Sequence, residues 1–426
     1  MKRWVVGCVV GLMISGVGLA DGEGTADVFE VIASQPVTIG EESVVRSPIL
    51  GYDAAMKIAV PSGIEVSSPE HTYPVVFVVG GHGREFFSTV AGVVKHLADR
   101  ERMPESLVVS LEGLGDIPPI HTHGMWQAEM LDFGGDPPAA IRHLEDEVVP
   151  YLKAHYRANE YRIVVGVSGS ALWPLHVFTA APELFESYVL VAAADVIGMG
   201  YTAEETFIDA FEAAFETSPD RRVKLYLGTA ESDLEKRPEY QDNLDDMQAR
   251  LGRFDGLDLR IETVPRDDHY AVLLKALPSA LEQNFPHEQW SARYRDLVAQ
   301  DGDALENIDR YYRELSARYG FTILPRADRW NNVNSLRFMV RHLIGEERPA
   351  EALAAAYRMV EYRPGAPSAH AWLATALEAN GQHDAAVAAQ RAAVALAEAH
   401  GSDEVSRFSE RLGELVAGED AAREEN

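Results

Sequence analysis

Residues 161–171, YRIVVGVSGSA, are the basis of the fold that we predict for this chain of 426 residues. Its first part is an apolar, β-branched run typical of buried strands, and the residues after it have the apolar spacing of a helix. A serine on the sharp turn between such a strand and helix needs small residues two positions before and after it. Gly166 and Ser170 are small, so the motif G-x-S-x-S predicts a nucleophile elbow with Ser168 at its tip. The alternative is a serine-rich turn without a chemical role.

Short strands and amphipathic helices alternate around this stretch. Apolar strand patterns occupy residues 73–79, 107–111, 161–167, 188–193 and 223–227, and residues 257–264 alternate like a half-exposed edge strand. Helical patterns occupy residues 87–99, 139–155, 171–181, 206–216 and 241–251. This order predicts an α/β fold with a mostly parallel, doubly wound sheet. The first strands, within residues 44–79, lack helical crossovers and are expected to form antiparallel edge strands.

His269 is the candidate base. A serine hydroxyl needs a base to take its proton, and in folds of this kind the chain order is serine, acid, histidine. Of the histidines after Ser168, His176 points away from the elbow and the last five lie in the helical tail. His269 follows the last strand pattern and precedes a helix, which places it at the carboxyl edge of the sheet, where such sites assemble. The alternative is a loop histidine that caps the next helix.

Two carboxylates after the strand at residues 223–227 are candidates for the acid that orients this histidine. Glu231 and Asp233 both follow Gly228, and either could hold the imidazole in the required tautomer. We expect Glu231 to be the acid, with Asp233 as the alternative.

Backbone amides are the candidates for an oxyanion hole. One amide would come from Gly169, directly after the nucleophile, and a second from a glycine-rich loop after an earlier strand. That loop contains Gly81, His82 and Gly83, of which His82 or Gly83 is the expected donor. The alternative is a tight turn without a chemical role.

The composition changes after about residue 285, where strand patterns stop and Ala, Glu, Arg and Leu dominate. Ala352 and Ala386 lie 34 residues apart in similar settings, which is the period of tetratricopeptide repeats. An Ala-rich helical hairpin bundle is the alternative. The expected segments are a signal peptide (1–20), an α/β domain (21–285), a helical connector (286–330), a small all-α domain of tetratricopeptide-like repeats (331–418) and a disordered acidic tail (419–426).

The first twenty residues have the pattern of a secretory signal. Lys2 and Arg3 precede a short apolar run, and Gly18 and Ala20 supply small residues for cleavage. We therefore expect export to the periplasm or the medium, with no membrane segment left after cleavage. The single cysteine, Cys8, would be lost, so disulfides and a thiol nucleophile are excluded from the mature chain.

Charge and the remaining motifs limit the possible partners. The net charge of −29 argues against nucleic acid, which would repel the protein. His121 and His123 resemble a metal pair, but no third ligand has suitable spacing, so neither a metal nor another cofactor is expected. The aromatic residues Trp126, Phe133 and Trp173 could line an apolar pocket or belong to the core.

These features together resemble a family of α/β-hydrolases that includes esterase D-like enzymes, feruloyl esterases and siderophore trilactone esterases. The matching segments are residues 47–51 (SPILG), 58–61 (IAVP), 75–81, the elbow, 228–231 (GTAE) and His269. Residues 312–320 (YRELSARYG) are similar to a bacterial subgroup with a tetratricopeptide extension. The chain departs from the family at Val167, Ser170 and Ala171 in the elbow and at Gly80-Gly81, where Asp-Gly is usual.

The expected activity is hydrolysis of a small-molecule carboxylic ester through an acyl-enzyme. Two alternatives remain open from the sequence. The altered elbow allows a degenerate hydrolase that serves as a binding platform, with the helical repeats binding a protein partner. An acyltransferase would use the same serine, acid and histidine.

Overall fold

The computed structural model describes residues 36–79, 83–112, 114, 116–218, 220–290, 292–327 and 334–424. Every element below belongs to one compact unit that begins at Ile39. The predicted signal peptide lies outside the described residues.

Of the ten strands in the described part of the chain, eight form one sheet. The strands are β1 (Glu41–Ser47), β2 (Tyr52–Ala59), β3 (Tyr73–Val79), β4 (Leu107–Leu111), β5 (Ile120–His121), β6 (Met130–Leu131), β7 (Ala158–Val167), β8 (Ser187–Val191), β9 (Val223–Ala230) and β10 (Leu257–Val264). Their order in the sheet is β1-β2-β4-β3-β7-β8-β9-β10, and β5 pairs with β6 in a separate two-stranded ribbon. Only the β1–β2 and β2–β4 pairs are antiparallel; the other pairs of the large sheet are parallel. This confirms the predicted α/β-hydrolase class of fold, with its antiparallel edge.

Helices cover both faces of the sheet and continue beyond it. They are α1 (Gly83–Asp99), α2 (Pro137–Arg142), α3 (Val149–Tyr156), α4 (Leu172–Ala180), α5 (Phe207–Thr217), α6 (Glu231–Lys236), α7 (Glu239–Leu251), α8 (Leu273–Asn284), α9 (His287–Trp290), α10 (Tyr294–Val298), α11 (Ala304–Tyr319), α12 (Leu336–Gly345), α13 (Pro349–Tyr362), α14 (Pro367–Ala379), α15 (His383–Ala399) and α16 (Val405–Glu424). Within the described residues, none of the helices is both long and apolar enough to span a bilayer.

The burial of each strand follows its place in the sheet. All seven residues of β3, a central strand, are buried, which is why its sequence is apolar throughout. In β10, at the edge of the sheet, the first and last residues, Leu257 and Val264, are buried. The residues between them are partly or fully exposed. The alternation predicted for residues 257–264 therefore reflects an edge strand.

Two hydrophobic cores lie on the two faces. One contains Leu152 of α3 and Phe211 of α5. The other begins with Val90 of α1 and Leu277 of α8 and continues without a break to Met339 of α12. The C-terminal helices thus pack on the helices that cover one face of the sheet.

The C-terminal helices form successive pairs. Ala352 of α13 and Ala386 of α15 are fully buried at corresponding positions of two pairs, as their 34-residue spacing suggests. Gly381 has φ +70° just after α14, a conformation that favours glycine and that ends this helix. The assignment to tetratricopeptide repeats stays a prediction. One expectation is corrected: residues 419–424 are the last turns of α16, since their Ala, Glu and Arg residues favour helix, and are not a disordered tail.

Candidate active site

Ser168 lies at the carboxyl end of β7, on a sharp turn into α4. Its φ is +53°, a conformation that is rare for residues with a side chain, and a short 3₁₀ turn, Ser168–Ala171, leads into the helix. At Gly166 an added Cβ would lie 2.7 Å from the Cα of Ala171, so only glycine fits. A strained serine held by packing on both sides is the geometry of a nucleophile elbow.

Ser170 explains how the elbow tolerates a departure from the usual glycine. Its hydroxyl donates to the carbonyl of Val167 at 2.7 Å and accepts from the amide of Val167 at 3.0 Å. The side chain therefore folds back over the turn and does not project into the site. Both hydrogen bonds tie the end of β7 to the turn that carries Ser168.

His269 brings its imidazole to this serine. It lies between β10 and α8, and its Nε2 is 2.8 Å from the Oγ of Ser168. The other ring nitrogen, Nδ1, is 2.8 Å from Oδ2 of Asp233. Since a carboxylate only accepts hydrogen bonds, Nδ1 is the donor, and a neutral imidazole then has Nε2 free to accept from the serine hydroxyl. Three side chains thus form one hydrogen-bonded chain.

The acid in this hydrogen-bonded chain of side chains is Asp233. The expectation that Glu231 contacts the histidine is wrong. β9 continues as far as Ala230 and pairs there with Val264, so Glu231 faces the segment directly after β10. Its Oε2 accepts from the amide of Arg266 at 3.0 Å. Asp233, two residues later in the first turn of α6, reaches the imidazole. The side chain of Asp233 is 13% exposed and that of His269 is 33% exposed, so the base is open to solvent while the acid is shielded.

The predicted oxyanion donors are only partly described. Gly169 directly follows Ser168 in the turn, where its amide can face a substrate carbonyl. Gly83 is the first residue of α1. Gly81 and His82 lie outside the described residues.

Aromatic residues surround the hydrogen-bonded chain. The ring of Tyr270 packs edge-on against His269, with centroids 4.7 Å apart, and is 48% exposed. Cη2 of Trp126 lies 3.4 Å from the position that a Cβ on Gly169 would occupy. Trp173, in contrast, is 2% exposed in the core and Phe133 is 43% exposed. Of the three aromatic residues singled out in the sequence, Trp126 is the one that reaches the nucleophile turn.

Asp195 is a site residue that sequence reasoning missed. It follows β8 at the carboxyl edge of the sheet, and its Oδ2 accepts from Nε1 of Trp126 at 2.9 Å. Burial raises the pKa of this carboxyl, although the hydrogen bond from Trp126 and the nearby His269 oppose the shift. The only signal in the sequence is its position just after a buried strand.

The two histidines considered as a metal pair do lie together. Their ring centroids are 4.6 Å apart, and Nδ1 of His121 accepts from the amide of His123. Within the part of the chain that the structure describes, no group of three or more His, Cys, Asp or Glu side chains is arranged to hold a metal ion.

Comparisons with known proteins relate this geometry to a family. The model of a family described as "Putative esterase" matches residues 47–255, which contain the elbow and Asp233. Comparison of the sequence with curated proteins gives no match.

Two solved structures show the same fold. An IroE-like serine hydrolase from Shewanella oneidensis has 16% identity and a TM-score of 0.54, with 74% of this chain and 96% of the other covered. An uncharacterised protein from Capnocytophaga ochracea has 14% identity and a TM-score of 0.50, with 89% of this chain and 99% of the other covered. The second alignment is long enough to include helices after α8. The match to the family described as "Putative esterase" spans residues 47–255, and the protein is an esterase with the α/β-hydrolase fold.

Proposed function

We propose that the protein hydrolyses carboxylic esters of small molecules through an acyl-enzyme, with Ser168 as nucleophile, His269 as base and Asp233 as the acid that orients it. The observation that carries this proposal is the hydrogen-bonded chain from Ser168 through both ring nitrogens of His269 to Asp233. Each distance of 2.8 Å lies within the range required for proton transfer between nucleophile and base. The same hydrogen-bonded side chains argue against a degenerate hydrolase that is used only for binding.

The first half of the reaction forms the acyl-enzyme. Oγ of Ser168 attacks the ester carbonyl carbon while its proton passes to Nε2 of His269. The carboxylate of Asp233 stabilises the resulting imidazolium, and the amide of Gly169 donates to the oxyanion. When the tetrahedral intermediate collapses, the carbon–oxygen bond to the alcohol breaks and His269 returns the proton to the leaving oxygen.

The second half regenerates the enzyme. His269 takes a proton from water, the resulting hydroxide attacks the acyl carbonyl, and the bond to Ser168 breaks as the serine recovers its proton. The products are a carboxylic acid and free enzyme. The partial exposure of the His269 side chain leaves a path for this water.

Hydrolysis of p-nitrophenyl acetate and butyrate by the full chain tests the proposal. Ser168→Ala and His269→Ala should each lower kcat by at least about 10⁴-fold, and Ser168→Ala should abolish covalent labelling by a fluorophosphonate. Ser218→Ala, a substitution of an exposed serine at the end of α5, is the matched control and should keep full activity. A parent protein that neither hydrolyses these esters nor becomes labelled would contradict the proposal and favour a binding role.

We also propose that the protein is exported. Lys2, Arg3 and the apolar run after them support this, together with the small residues before position 21. The N-terminal sequence of protein recovered from the periplasm or medium of an expressing bacterium should begin near Asp21. Recovery of the intact N-terminus in the cytoplasm would contradict export.

A further inference from the structure

A short two-stranded ribbon holds one aromatic side chain beside the nucleophile. We call residues 122–129, which join β5 to β6, the ribbon loop. Thr122 is fully buried and closes the loop, since its amide donates to the carbonyl of Glu129 at 2.7 Å and its hydroxyl donates to the carbonyl of Ala128. At the base of the ribbon, His121 and Gly200 exchange two backbone hydrogen bonds of 2.6 and 3.1 Å. The ribbon loop is therefore closed on itself and anchored to the rest of the protein next to its first residue.

Trp126 lies in the ribbon loop, and a hydrogen bond at Nε1 holds its indole. Nε1 donates to Oδ2 of Asp195 at 2.9 Å, and Oδ1 of the same carboxylate accepts from the amide of Val196, which fixes the acceptor in turn. At the other end, Cη2 approaches to 3.4 Å from the position of a Cβ on Gly169. A hydrogen bond to a carboxylate is one of the stronger neutral–ionic contacts, so this orientation is well held.

The side of the site on which Trp126 lies follows from its neighbours. In the proposed reaction the leaving oxygen must approach Nε2 of His269, and the ring of Tyr270 packs against that imidazole, so Tyr270 lies on the alcohol side. The carbonyl oxygen must approach the amide of Gly169, and Cη2 of Trp126 lies 3.4 Å from the position that a Cβ on the same residue would occupy. The indole is therefore next to the carbonyl and the acyl chain attached to it.

We propose that Trp126 is the specificity-determining wall of the acyl pocket, with Asp195 as the positioning residue that holds it there. This inference rests on the proposed ester hydrolysis and names its substrate class, namely esters of short acyl chains. Because this wall lies next to the turn that bears the nucleophile, the acyl pocket is too shallow for a long acyl chain. Trp126 is only partly buried, unlike the core residue Trp173, so part of its side chain remains available to a substrate.

A series of p-nitrophenyl esters from acetate to octanoate tests the wall, because the acyl chain varies while the alcohol is constant. In Trp126→Ala the ratio of kcat/KM for octanoate to that for acetate should rise by about tenfold or more, since each accommodated methylene contributes to binding. The preference among acetate esters of different alcohols should stay unchanged. Met130→Ala, which alters an exposed side chain of the same ribbon, should leave both preferences as in the parent.

Variants of the carboxylate test its positioning role. Asp195→Ala should move the octanoate-to-acetate ratio in the same direction as Trp126→Ala, though less, and Asp195→Asn, which keeps an oxygen acceptor, should restore part of the parent ratio. Because Trp126→Phe and Asp195→Ala remove the same hydrogen bond, their effects on this ratio should not add in the double variant. A merely structural role of Asp195 would lower kcat/KM for all esters equally.

The outcomes separate this inference from the function on which it rests. If the parent is active but Trp126→Ala has the parent's chain-length profile, or changes the alcohol preference instead, the acyl wall is refuted while ester hydrolysis stands. If the parent hydrolyses none of the esters and is not labelled by a fluorophosphonate, the proposed function itself fails.

Discussion

Two carboxylates at the end of β9 have different partners although they are only two residues apart. Glu231 accepts from the backbone of Arg266, whose φ of +53° needs such a contact to be held, whereas Asp233 accepts from the imidazole of His269. One carboxylate thus shapes the loop that carries the base, and the other orients the base itself. Their substitution should therefore have effects of different size.

Asp233→Ala should lower kcat for p-nitrophenyl acetate by about 10³- to 10⁴-fold, because the imidazole loses its tautomer and the partner of its charged form. Glu231→Ala, the matched control, removes one hydrogen bond to a backbone amide and should cost less than about tenfold. Steady-state kinetics measure both, with circular dichroism to confirm folding. Equal losses of kcat in the two variants would contradict the assignment of Asp233 as the acid.

The residues of the site could be predicted from the sequence to different degrees. The small residue at Gly166 and the position of His269 after the last strand depend on local sterics and chain order, which the sequence contains. The choice between Glu231 and Asp233 depends on where β9 ends, and strand ends are set by pairing with β10. Asp195 and Trp126 meet across the sheet edge from distant segments, so their hydrogen bond had no local signal.

Ser170 gives a stability test of the elbow. Ser170→Ala removes both hydrogen bonds to the backbone of Val167 and should lower the free energy of unfolding by about 1–2 kcal/mol. Urea denaturation of the parent and the variant measures this change. Thr375→Ala, which removes a hydroxyl bonded to a helix carbonyl in α14, is the control and should cost less. If the Ser170→Ala variant is as stable as the parent, these two hydrogen bonds do not stabilise the turn.

At the scale of elements, the junction between β7 and α4 is limited by space. In Gly166→Ala the new methyl group would meet the Cα of Ala171 at 2.7 Å and the carbonyl oxygen of Ser170 at 3.1 Å. Both are backbone atoms of the turn, so the turn itself must move, and we expect a loss of about 2–3 kcal/mol in the free energy of unfolding together with a large loss of kcat.

Gly92→Ala is the matched control for this substitution. Gly92 lies in the exposed part of α1 with no atom within 4 Å of an added Cβ, so alanine should stabilise the helix by up to about 1 kcal/mol. Thermal unfolding and esterase assays on both variants make the comparison. Full activity in Gly166→Ala would contradict the steric account of the elbow.

Elements with a strong period were predictable and short elements were not. The predicted strands at residues 73–79, 107–111 and 257–264 have the observed ends, because apolar runs between turn residues mark buried strands. The strands of the ribbon have two residues each and therefore no period. Residues 139–155, predicted as one helix, form α2, a π-helical turn and α3. One π-helical turn in the middle of a helix does not change the amphipathic pattern of the sequence enough to be detected.

At the scale of the whole molecule, the C-terminal helices and the sheet domain share one core and one buried group of charges. Arg363, directly after α13, donates to both carboxylate oxygens of Glu105 at 3.1 and 2.9 Å, and Arg326 lies 3.6 Å from the same carboxylate. Burial alone would raise the pKa of Glu105, but the two guanidinium groups outweigh it and hold that pKa below its usual value. The change in composition at residue 285 could not reveal this packing, since it depends on contacts distant in sequence.

His71 makes this region sensitive to acid. Its ring stacks on Tyr73 at 4.7 Å, and burial, together with Arg363, Arg157 and Arg326, lowers its pKa from 6.5 to about 4, although Glu105 opposes the shift. The unfolded chain therefore binds a proton between pH 6.5 and 4 that the folded protein does not bind. The free energy of unfolding should thus fall as the pH falls through this range, and the contribution of Glu105 should be lost only below its ordinary pKa of 4.5.

Urea denaturation at pH 7 and pH 5 isolates the histidine from the other titrating groups. The parent should lose ~1–2 kcal/mol more than His71→Gln on this change of pH, since glutamine takes up no proton. His96→Gln, at an exposed position of α1, should lose as much as the parent. The high negative charge of the chain affects all three proteins alike, because acidification relieves the same repulsion in each. If His71→Gln and the parent lose stability equally, His71 does not stay neutral in the folded protein, and the junction between sheet and helices is not the acid-sensitive part of the molecule.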